Sequence, residues 1–392
     1  AVLARARVAA HRARGAAITY LHRRDRTGFK AGALAAGLAA APEAELVAVF
    51  DADFVPPPDF LRRLVPDFQA APRLGLVQAR WEHLNPDDNA LTAAQALAYD
   101  SYFSVEQPAR SQAGWLMNFN GSAGLWRRRC IEAAGGWQGD TLAEDLDLSY
   151  RAQLSGWRLA YRLDVAAPAE LPAGLLAIKR QQFRWAKGSF RVLRKLGGAL
   201  LRSAQPVHRK LLGLLHLAGY LPHPLVVLSL LLSLPVVLLH GWTPLRWELF
   251  GWLGLVSPAL ALWGQVRLRP AAPFRRLWAY PVLMVGLIGL ALSNTVACAE
   301  ALAGRTSVFM RTPKSAVNAA DDYVLPLDWT TWGELVLALY ALATALLALE
   351  WAPTLAPALF LYALGFGGVA ARGLWEAWGQ RSRAGAAQPE RR

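Results

Sequence analysis

Asp51 and Asp53 lie one residue apart, directly after the apolar run Glu45 to Phe50. Unpaired charges at the end of a buried strand are costly, so the two carboxylates need a compensating partner. Their hard oxygen atoms suit Mg²⁺ or Mn²⁺. A cation held there would neutralise a diphosphate that leaves a reacting centre. A solvated turn is the alternative, and Asp-X-Asp by itself does not exclude it.

A denser acidic cluster, Ala143-Glu144-Asp145-Leu146-Asp147, opens a predicted helix. Thr141 followed three residues later by Glu144 matches a capping box, so helix capping accounts for Glu144 and leaves Asp145 unassigned. The helix dipole favours an ionised carboxylate at this end. Such a carboxylate can take a proton from a hydroxyl group as a general base. Ordinary charge at a helix start is the alternative interpretation.

Gln181, Arg184 and Trp185 follow the spacing i, i+3 and i+4, so they share one face of a helix. The guanidinium and amide groups can hold phosphate or hydroxyl groups, and the indole offers a stacking surface for a sugar ring. A tryptophan on such a helix also serves as an anchor at a membrane interface. The two interpretations remain open at this point.

The elements that must position these residues alternate between apolar runs and amphipathic helices over residues 16–170, which predicts an α/β domain. Residues 45–50 predict a central strand buried on both faces. Further strands are predicted at 16–20, 74–80 and 157–165, and helices at 60–68 and 90–112. Because ligands of open α/β sheets bind beyond the carboxyl ends of strands, Asp51 and Asp53 fall at the ligand-binding edge.

The 392 residues are 54% hydrophobic and carry a formal net charge of +14. Apolar membrane spans with flanking Arg and Lys residues explain both properties together. Nucleic acid is not an expected partner, because the basic residues are scattered or lie at span ends rather than in one stripe. Cys130 and Cys298 lie in different regions and offer neither a disulfide framework nor metal-ligand spacing.

The second half of the chain predicts about four spans and one interfacial helix. The predicted spans are 211–240, 250–265, 335–349 and 355–371. Residues 277–302 are also apolar, but they are basic on both flanks and contain Asn294 and Glu300. Both flanks are therefore expected in the cytoplasm, with this segment along the inner interface.

Seven stretches, in this order, resemble the membrane-bound family-2 glycosyltransferases, the group that includes cellulose synthases and mannan or glucomannan synthases. They are HRRDRTGFKAGAL (22–34), FDAD (50–53), VQARWEHLN (77–85), NFNGSAGLWRRRCIEAAGGW (118–137), AEDLDLSYRAQLSGW (143–157), AELP (169–172) and QQFRWAKG (181–188). The sequences of residues 118–157 and 169–188 are more similar to the mannan-synthase branch than to bacterial cellulose synthase.

The resemblance implies that Asp145 is the catalytic base and that Asp51 and Asp53 bind the nucleotide diphosphate through Mg²⁺ or Mn²⁺. Ala143 departs from the threonine that precedes this acidic pair in the family. The other substrate-binding residues that it implies are Lys30, His22, Glu144, Gln181, Arg184, Trp185, Asn120, Gly121 and Ser122. It also implies a gating-like loop at 303–330, in which Phe309, Thr312 and Lys314 close over the donor. A basic loop between spans is the alternative for that segment.

The implied fold class is α/β: a GT-A-type sheet domain followed by an all-α transmembrane domain. The family's early nucleotide-gripping strand has no counterpart in residues 1–19, so the sheet domain is expected to be N-terminally truncated. The expected domains are a catalytic domain (1–170), interfacial helices with a QXXRW motif (171–208), a transmembrane domain (209–380) and a polar tail (381–392).

The implied function is an inverting, processive β-glycosyltransferase of the multi-pass inner membrane, with its catalytic domain in the cytoplasm. It would transfer a hexose from GDP-mannose or UDP-glucose to a growing polysaccharide, beside the lipid bilayer that surrounds its spans. A non-processive, ceramide-like lipid glycosyltransferase is one alternative. A non-enzymatic membrane scaffold or transporter is another.

Overall fold

The computed structural model describes residues 2–239, 254–305 and 327–386, with side chains up to residue 379. Residues 2–170, here called the sheet domain, contain all four described strands. These are β1 (Leu46–Val49), β2 (Leu74–His83), β3 (Gly124–Arg127) and β4 (Arg158–Ala169). Its helices are α1 (Val2–Arg12), α2 (Phe29–Ala39), α3 (Phe60–Ala70), α4 (Ala90–Ser101), α5 (Gln107–Gln112), α6 (Arg128–Ala133) and α7 (Glu144–Leu154).

The sheet has the order β1-β3-β2-β4, in which β3 is antiparallel to both neighbours and β2 is parallel to β4. The strands β1, β2 and β4 therefore end at the same edge. Side chains alternate between the two faces of the sheet. Leu76 and Trp126 pack on one face, while Val77 and Leu125 pack on the other. The predicted α/β class is confirmed.

Two details of the predicted sheet are wrong. Within the described sheet β1 lies at an edge, and of its residues only Val49 is buried. An apolar run indicates that a strand is buried, but it does not predict whether the strand has one neighbouring strand or two. Residues 16–20 form no strand, and the amide of Ile18 bonds locally to the carbonyl of Ala16. A strand requires a partner ladder for its backbone groups, and no described strand pairs with this segment.

The predicted helix at 90–112 is confirmed as one continuous helical stretch. It consists of α4, a π-helical turn (Tyr102–Glu106) and α5. Asn89 caps its start, because its side chain accepts hydrogen bonds from the amides of Leu91 and Thr92. The π turn directs the Tyr102 hydroxyl to Asn118, 2.9 Å away, in the loop before β3.

A 28-residue helix, α8 (Leu175–Arg202), connects the sheet domain to the remaining helices. Those helices are α9 (Val207–Leu217), α10 (Pro222–Leu238), α11 (Val256–Leu268), α12 (Tyr280–Gly289), α13 (Ala291–Leu302), α14 (Trp329–Trp351) and α15 (Ala356–Ala386). Single 3₁₀ turns precede α12 and α15. Ala186 and Phe190 of α8 pack against Ala297, Cys298 and Ala301 of α13, so α8 contacts both halves of the molecule.

Two described helices, Trp329–Trp351 and Ala356–Gly379, are long and apolar enough to cross a membrane. The first contains the predicted span 335–349, and the second contains the predicted span 355–371 except Leu355, which lies in the preceding 3₁₀ turn. Two bent pairs raise the number to four if each pair is one span: 207–217 with 222–238, at 68°, and 277–289 with 291–302, at 45°. The predicted span 250–265 begins outside the described residues and continues in α11.

Candidate active site

A cavity of about 910 Å³ opens at the carboxyl ends of β1, β2 and β4. It is the expected location for a ligand of an open α/β sheet. The predicted site residues that line it are Lys30, Asp51, Asp53, Asn120, Gly121, Glu144, Asp145, Gln181, Arg184 and Trp185. Segments separated by more than a hundred residues in sequence thus meet at one site.

Asp51 follows β1 and is held at both its backbone and its side chain. Its amide donates to Ser122 Oγ at 2.9 Å, and its Oδ1 accepts from Lys30 Nζ at 2.6 Å. Lys30 also donates to the carbonyl of Gly121 at 2.8 Å. Burial by itself lowers the pKa of Lys30, but the charges of Asp51 and Glu144 outweigh it, so the pKa is raised. Lys30 is therefore a fixed positive charge in the cavity.

Gly121 brings the backbone against the acidic cluster. Its φ is +83°, and a Cβ atom there would lie 2.7 Å from Asp145 Oδ2 and 3.5 Å from Lys30 Nζ. A residue other than glycine is strained at this φ and also collides with the carboxylate. Asp145 and Lys30 therefore approach the same point of the cavity, from opposite chain segments.

The predicted capping box is wrong. The helix α7 begins at Glu144, its N-cap residue is Ala143, and no side chain caps it. Leu142 has a φ of +65°, which turns the chain between Thr141 and the helix. The buried Thr141 hydroxyl has no hydrogen-bond partner within the described parts of the chain. Glu144 and Asp145 are consequently both available to the cavity, while Asp147 is paired with Arg151 and Lys195.

The two adjacent acids hold protons more tightly than free carboxyl groups do. Burial, together with the charge of Asp145, raises the pKa of Glu144 to about 7. Burial also raises the pKa of Asp145, although Lys30 and Arg184 oppose this shift. A carboxylate with a raised pKa is a stronger base than an exposed one, which suits proton abstraction near neutral pH.

The face of α8 that carries Gln181, Arg184 and Trp185 closes the cavity beside a wall of aromatic rings. The Tyr99 hydroxyl lies 3.5 Å from Gln181 Oε1, and the Tyr99 ring lies 6.2 Å from that of Trp185. The wall continues through Trp81, 6.3 Å from Tyr99. These rings offer flat apolar surfaces of the kind on which a pyranose ring packs.

The remaining predicted residues lie elsewhere. His22 is exposed, stacks on Tyr20 at 6.1 Å and is not among the residues that line the cavity. Ser122 is fully buried and supports the Asp51 backbone. Asn120 lines the cavity, but its side chain is held by Gln107 and by the Tyr102 hydroxyl. Phe309, Thr312 and Lys314 lie outside the described residues.

Sequence reasoning missed a buried charge network next to the cavity. Glu82, His83 and Asp100 place ligand-type atoms within 4.8 Å of one another. Asp100 accepts from His83 Nε2 at 3.1 Å, from Gln265 Nε2 at 2.9 Å, and from two arginines of the α11–α12 connection, Arg269 and Arg276. Asp100 ends a nearly uncharged helical run, which was the available signal.

This network is an ion-pair cluster rather than a convincing cation site, because arginines already surround its carboxylates. Burial alone raises the pKa of Asp100, but His83 and Arg269 outweigh it and lower the pKa to about 2. The cluster joins α4 of the sheet domain to the connection between α11 and α12.

Asp51 and Asp53 fit a divalent cation better. Both line the cavity, and Lys30 occupies only Oδ1 of Asp51. Mg²⁺ is usually bound through one or two carboxylates together with substrate phosphates. A pair of acids that faces a cavity with room for a diphosphate has that donor set.

The family model described as "Glycosyltransferase like family 2" matches residues 1–188. The match covers just under half of the 392 residues. The family assignment made from the seven stretches is therefore confirmed, as is the GT-A-type class of the sheet domain. The matched model describes a glycosyltransferase domain, and the hexosyl specificity stays a prediction.

Similar curated proteins are plant enzymes. The chain is 45% identical over 185 residues to "Probable glucomannan 4-beta-mannosyltransferase 7" of Oryza sativa subsp. japonica, which covers 47% of this chain and 32% of that protein. It is 43% identical over 192 residues to "Glucomannan 4-beta-mannosyltransferase 2" of Arabidopsis thaliana, which covers 48% of this chain and 36% of that protein. The match thus spans about a third of the length of these relatives.

One similar solved structure is "Mannosyltransferase PcManGT from Pyrobaculum calidifontis in complex with GDP-Man and Mn2+". It is 21% identical, covers 74% of this chain and 70% of that chain, and has a TM-score of 0.43. A likeness at that score carries no argument about substrate or metal.

Proposed function

We propose that this glycosyltransferase transfers a hexose from a nucleotide sugar to a polysaccharide acceptor, with inversion at the anomeric carbon. The observation that carries the proposal is the meeting of Asp145, Lys30 and Asp51 around Gly121, in one cavity with Arg184 and its neighbours on α8. The cavity contains a base, fixed positive charge for a diphosphate, and aromatic rings for sugars. A single displacement needs those three parts.

Asp145 is the proposed general base. It takes the proton from the acceptor hydroxyl as that oxygen bonds to the anomeric carbon of the donor. The bond from that carbon to the diphosphate oxygen breaks in the same step, and the electron pair leaves with the nucleoside diphosphate. Attack from the face opposite the leaving group inverts the configuration. The charge of Asp145 helps to raise the pKa of Glu144. When Glu144 is protonated, it adds no second negative charge beside Asp145.

Lys30 and Arg184 are the proposed contacts of the diphosphate. Both are cationic groups in the cavity, and positive charge aimed at a leaving group lowers the barrier to its departure. A Mg²⁺ or Mn²⁺ ion bound by Asp51 and Asp53 would further neutralise the diphosphate. Asn120, Gly121 and Gln181 remain the proposed acceptor contacts, with Trp185 as the stacking surface.

The proposed donor is GDP-mannose, and UDP-glucose is the alternative. The support for mannose is that the plant relatives are named as glucomannan 4-beta-mannosyltransferases. The proposed product is a processively extended β-linked polymer, synthesised at the cytoplasmic face of the inner membrane. The apolar helices α14 and α15 support placement of the chain in a bilayer.

A screen with radiolabelled donors on membranes that contain the protein tests this proposal. GDP-mannose is expected to give a ladder of oligosaccharides, and membranes with Asp145→Asn should give none. A ladder of oligosaccharides only with UDP-glucose would mean that UDP-glucose, and not GDP-mannose, is the donor. A single lipid-linked sugar would favour the non-processive alternative, and no transfer from any nucleotide sugar would favour a scaffold or transporter.

A further inference from the structure

The helix that carries Gln181, Arg184 and Trp185 begins without a capping residue of its own. Its N-cap position is Gly174, preceded by Leu171-Pro172-Ala173, and none of these offers a side-chain acceptor. Exposed amides at a helix start must find other partners, because they have no acceptor within the helix.

The missing acceptor comes from the other end of the chain. In α15, Glu376 Oε1 accepts a hydrogen bond from the amide of Leu175 at 2.9 Å, and Glu376 Oε2 accepts one from the amide of Leu176 at 3.0 Å. The donor and acceptor residues of these bonds are 201 and 200 positions apart in sequence. Both carboxylate oxygens are engaged, and negative charge at a helix N-terminus is favoured by the helix dipole.

The environment of Glu376 holds it in this position. Its side chain is only 11% exposed, and Arg372, one turn earlier on α15, donates to Oε1 at 3.0 Å. The Arg372 guanidinium itself packs over the Trp375 ring, 4.3 Å from its centre. Glu376 is therefore a charge-balanced carboxylate aimed at α8, not a solvated surface acid.

A second contact fixes the next turn of α8 to the neighbouring apolar helix. Lys179 is 3% exposed and lies 2.8 Å from Glu334 Oε1 and 3.0 Å from Asp328 Oδ1. Glu334 belongs to α14, and Asp328 caps its start. The first two turns of α8 are thus tied to both described helices that are long and apolar enough to cross a membrane.

We propose that Glu376 is a positioning residue for the glycosyltransferase site. By capping α8 from α15, it fixes the turn that precedes Gln181, Arg184 and Trp185 and makes the site geometry depend on the packing of a membrane-type helix. The cap itself follows from the contacts above. Its kinetic consequence rests on the proposed function.

The test combines Glu376→Ala with hydrogen exchange and with donor-transfer kinetics, on the whole protein in nanodiscs. The amides of residues 175–178 should exchange about fivefold faster, the effect of losing a helix cap worth roughly 1 kcal/mol. Turnover should fall by a similar factor, and KM for the donor should change less than turnover, because of the two proposed diphosphate contacts Arg184 lies on α8 and Lys30 does not. Glu350→Ala, an exposed acid near the end of α14, is the matched control and should change neither quantity.

A rescue variant separates capping from general packing. Gly174 has φ −102° and ψ 143°, the extended conformation of an ordinary N-cap residue. The three atoms nearest to a Cβ added there all belong to the Glu376 carboxyl group, and the closest lies at 3.4 Å. Gly174→Ser in the Glu376→Ala background should therefore place a hydroxyl acceptor at the amide of Leu176, one of the two vacated amides, or at that of Ala177. Protection and turnover should both recover most of their loss.

Unchanged exchange at 175–178 in Glu376→Ala overturns the cap, and so does lost protection that Gly174→Ser leaves unrestored. Faster exchange with unchanged turnover overturns the positioning role alone. If the alanine variant does not accumulate, Glu376→Gln, which keeps one acceptor oxygen, decides by the same exchange measurement. Should the wild type transfer no sugar at all, the proposed function fails, while the exchange measurement still decides the cap.

Discussion

At the residue scale, the chemistry of the site depends on close approaches that a few small or charged residues permit. Gly121 allows the loop before β3 to contact both Asp145 and Lys30, and Lys30 bridges that loop to Asp51. Each of these residues makes a separate contact. Single substitutions therefore test individual roles.

Asp145→Asn is expected to lower the rate of transfer by roughly 10²–10⁴-fold, because an amide keeps the shape of the carboxylate but cannot accept the hydroxyl proton. Binding of the nucleoside diphosphate should stay within a few-fold of wild type. Radiolabel transfer and calorimetric titration measure the two quantities. A variant that retains more than about a tenth of the wild-type rate would show that Asp145 is not the base.

Gly121→Ala should abolish most transfer, since the new Cβ lies 2.7 Å from Asp145 Oδ2 and the φ of +83° is strained for alanine. Gly15→Ala is the control, because Gly15 also has φ +83° but nothing within 4 Å of its added Cβ. Both variants place alanine at a strained backbone angle, but only Gly121→Ala displaces the Asp145 carboxylate. Equal activity of the two variants would contradict the assigned contact.

Glu144→Gln is expected to stabilise the ligand-free protein at alkaline pH. The folded pKa of about 7 lies above the ordinary value of 4.5, so the folded state favours the protonated acid. That contribution is fully present below about pH 4.5 and is lost as the pH rises through 7. The gain in Tm of the glutamine variant over wild type should thus be larger at pH 8 than at pH 5. A gain in Tm that does not change with pH would contradict the raised pKa of Glu144.

At the element scale, α4 and α8 connect the cavity to the helices that follow α8 in the chain. The helix α4 presents Tyr99 to the cavity and turns Asp100 into the arginine cluster of the α11–α12 connection. The helix α8 is tied to α13 through Lys187 and Glu300, whose Nζ and Oε2 atoms lie 2.5 Å apart. Site residues on both helices are therefore supported by buried ion pairs.

Asp100→Ala should destabilise the protein by roughly 3–5 kcal/mol, because it removes the fully buried carboxylate that Arg269 and Arg276 share and leaves them only the more exposed Glu82 and Asp87. Glu132→Ala is the matched control, since it removes an exposed i,i+4 pair with Arg128 that is worth about 0.5 kcal/mol or less. Denaturant unfolding of the purified variants compares them. A loss for Asp100→Ala as small as that of the control would show that the cluster is not a stabilising junction.

At the scale of the whole molecule, both flanks of residues 277–302 contact the first half of the chain. Arg269, before the segment, pairs with Asp100. Beyond its end, the carbonyl of Arg305 accepts from Arg191 of α8. The two flanks thus contact the sheet domain and the adjoining helix α8, which supports the predicted interfacial position of this segment, with both flanks on one side of the membrane.

Single cysteines test this topology, because Cys130 and Cys298 are both buried. Ala271→Cys and Ala303→Cys are exposed positions on the two flanks, and Gln69→Cys on α3 is the control in the sheet domain. In intact cells all three should be shielded from an impermeant thiol reagent, and all should react after permeabilisation. Labelling of Ala303→Cys alone in intact cells would mean that residues 277–302 cross the membrane.

Features that depend on neighbouring residues in the chain were predictable from the sequence. The α/β alternation, the helical stretch 90–112, the two apolar helices α14 and α15 and the resemblance of residues 1–188 to family-2 glycosyltransferases were all confirmed. Hydrophobic periodicity and short motifs report these properties locally. The acids beside the cavity were likewise identifiable, because charge at the end of an apolar strand or the start of a helix stands out in any context.

Features that depend on partners distant in sequence were decided by the tertiary structure. Thr141 matched a capping box, but the turn at Leu142 removes it from the helix start, and α8 takes its cap from Glu376. The edge position of β1 and the Asp100 cluster also depend on which segments arrive from elsewhere. Backbone amides and buried charges must find partners, but the chain supplies those partners through space, and local spacing carries no record of them.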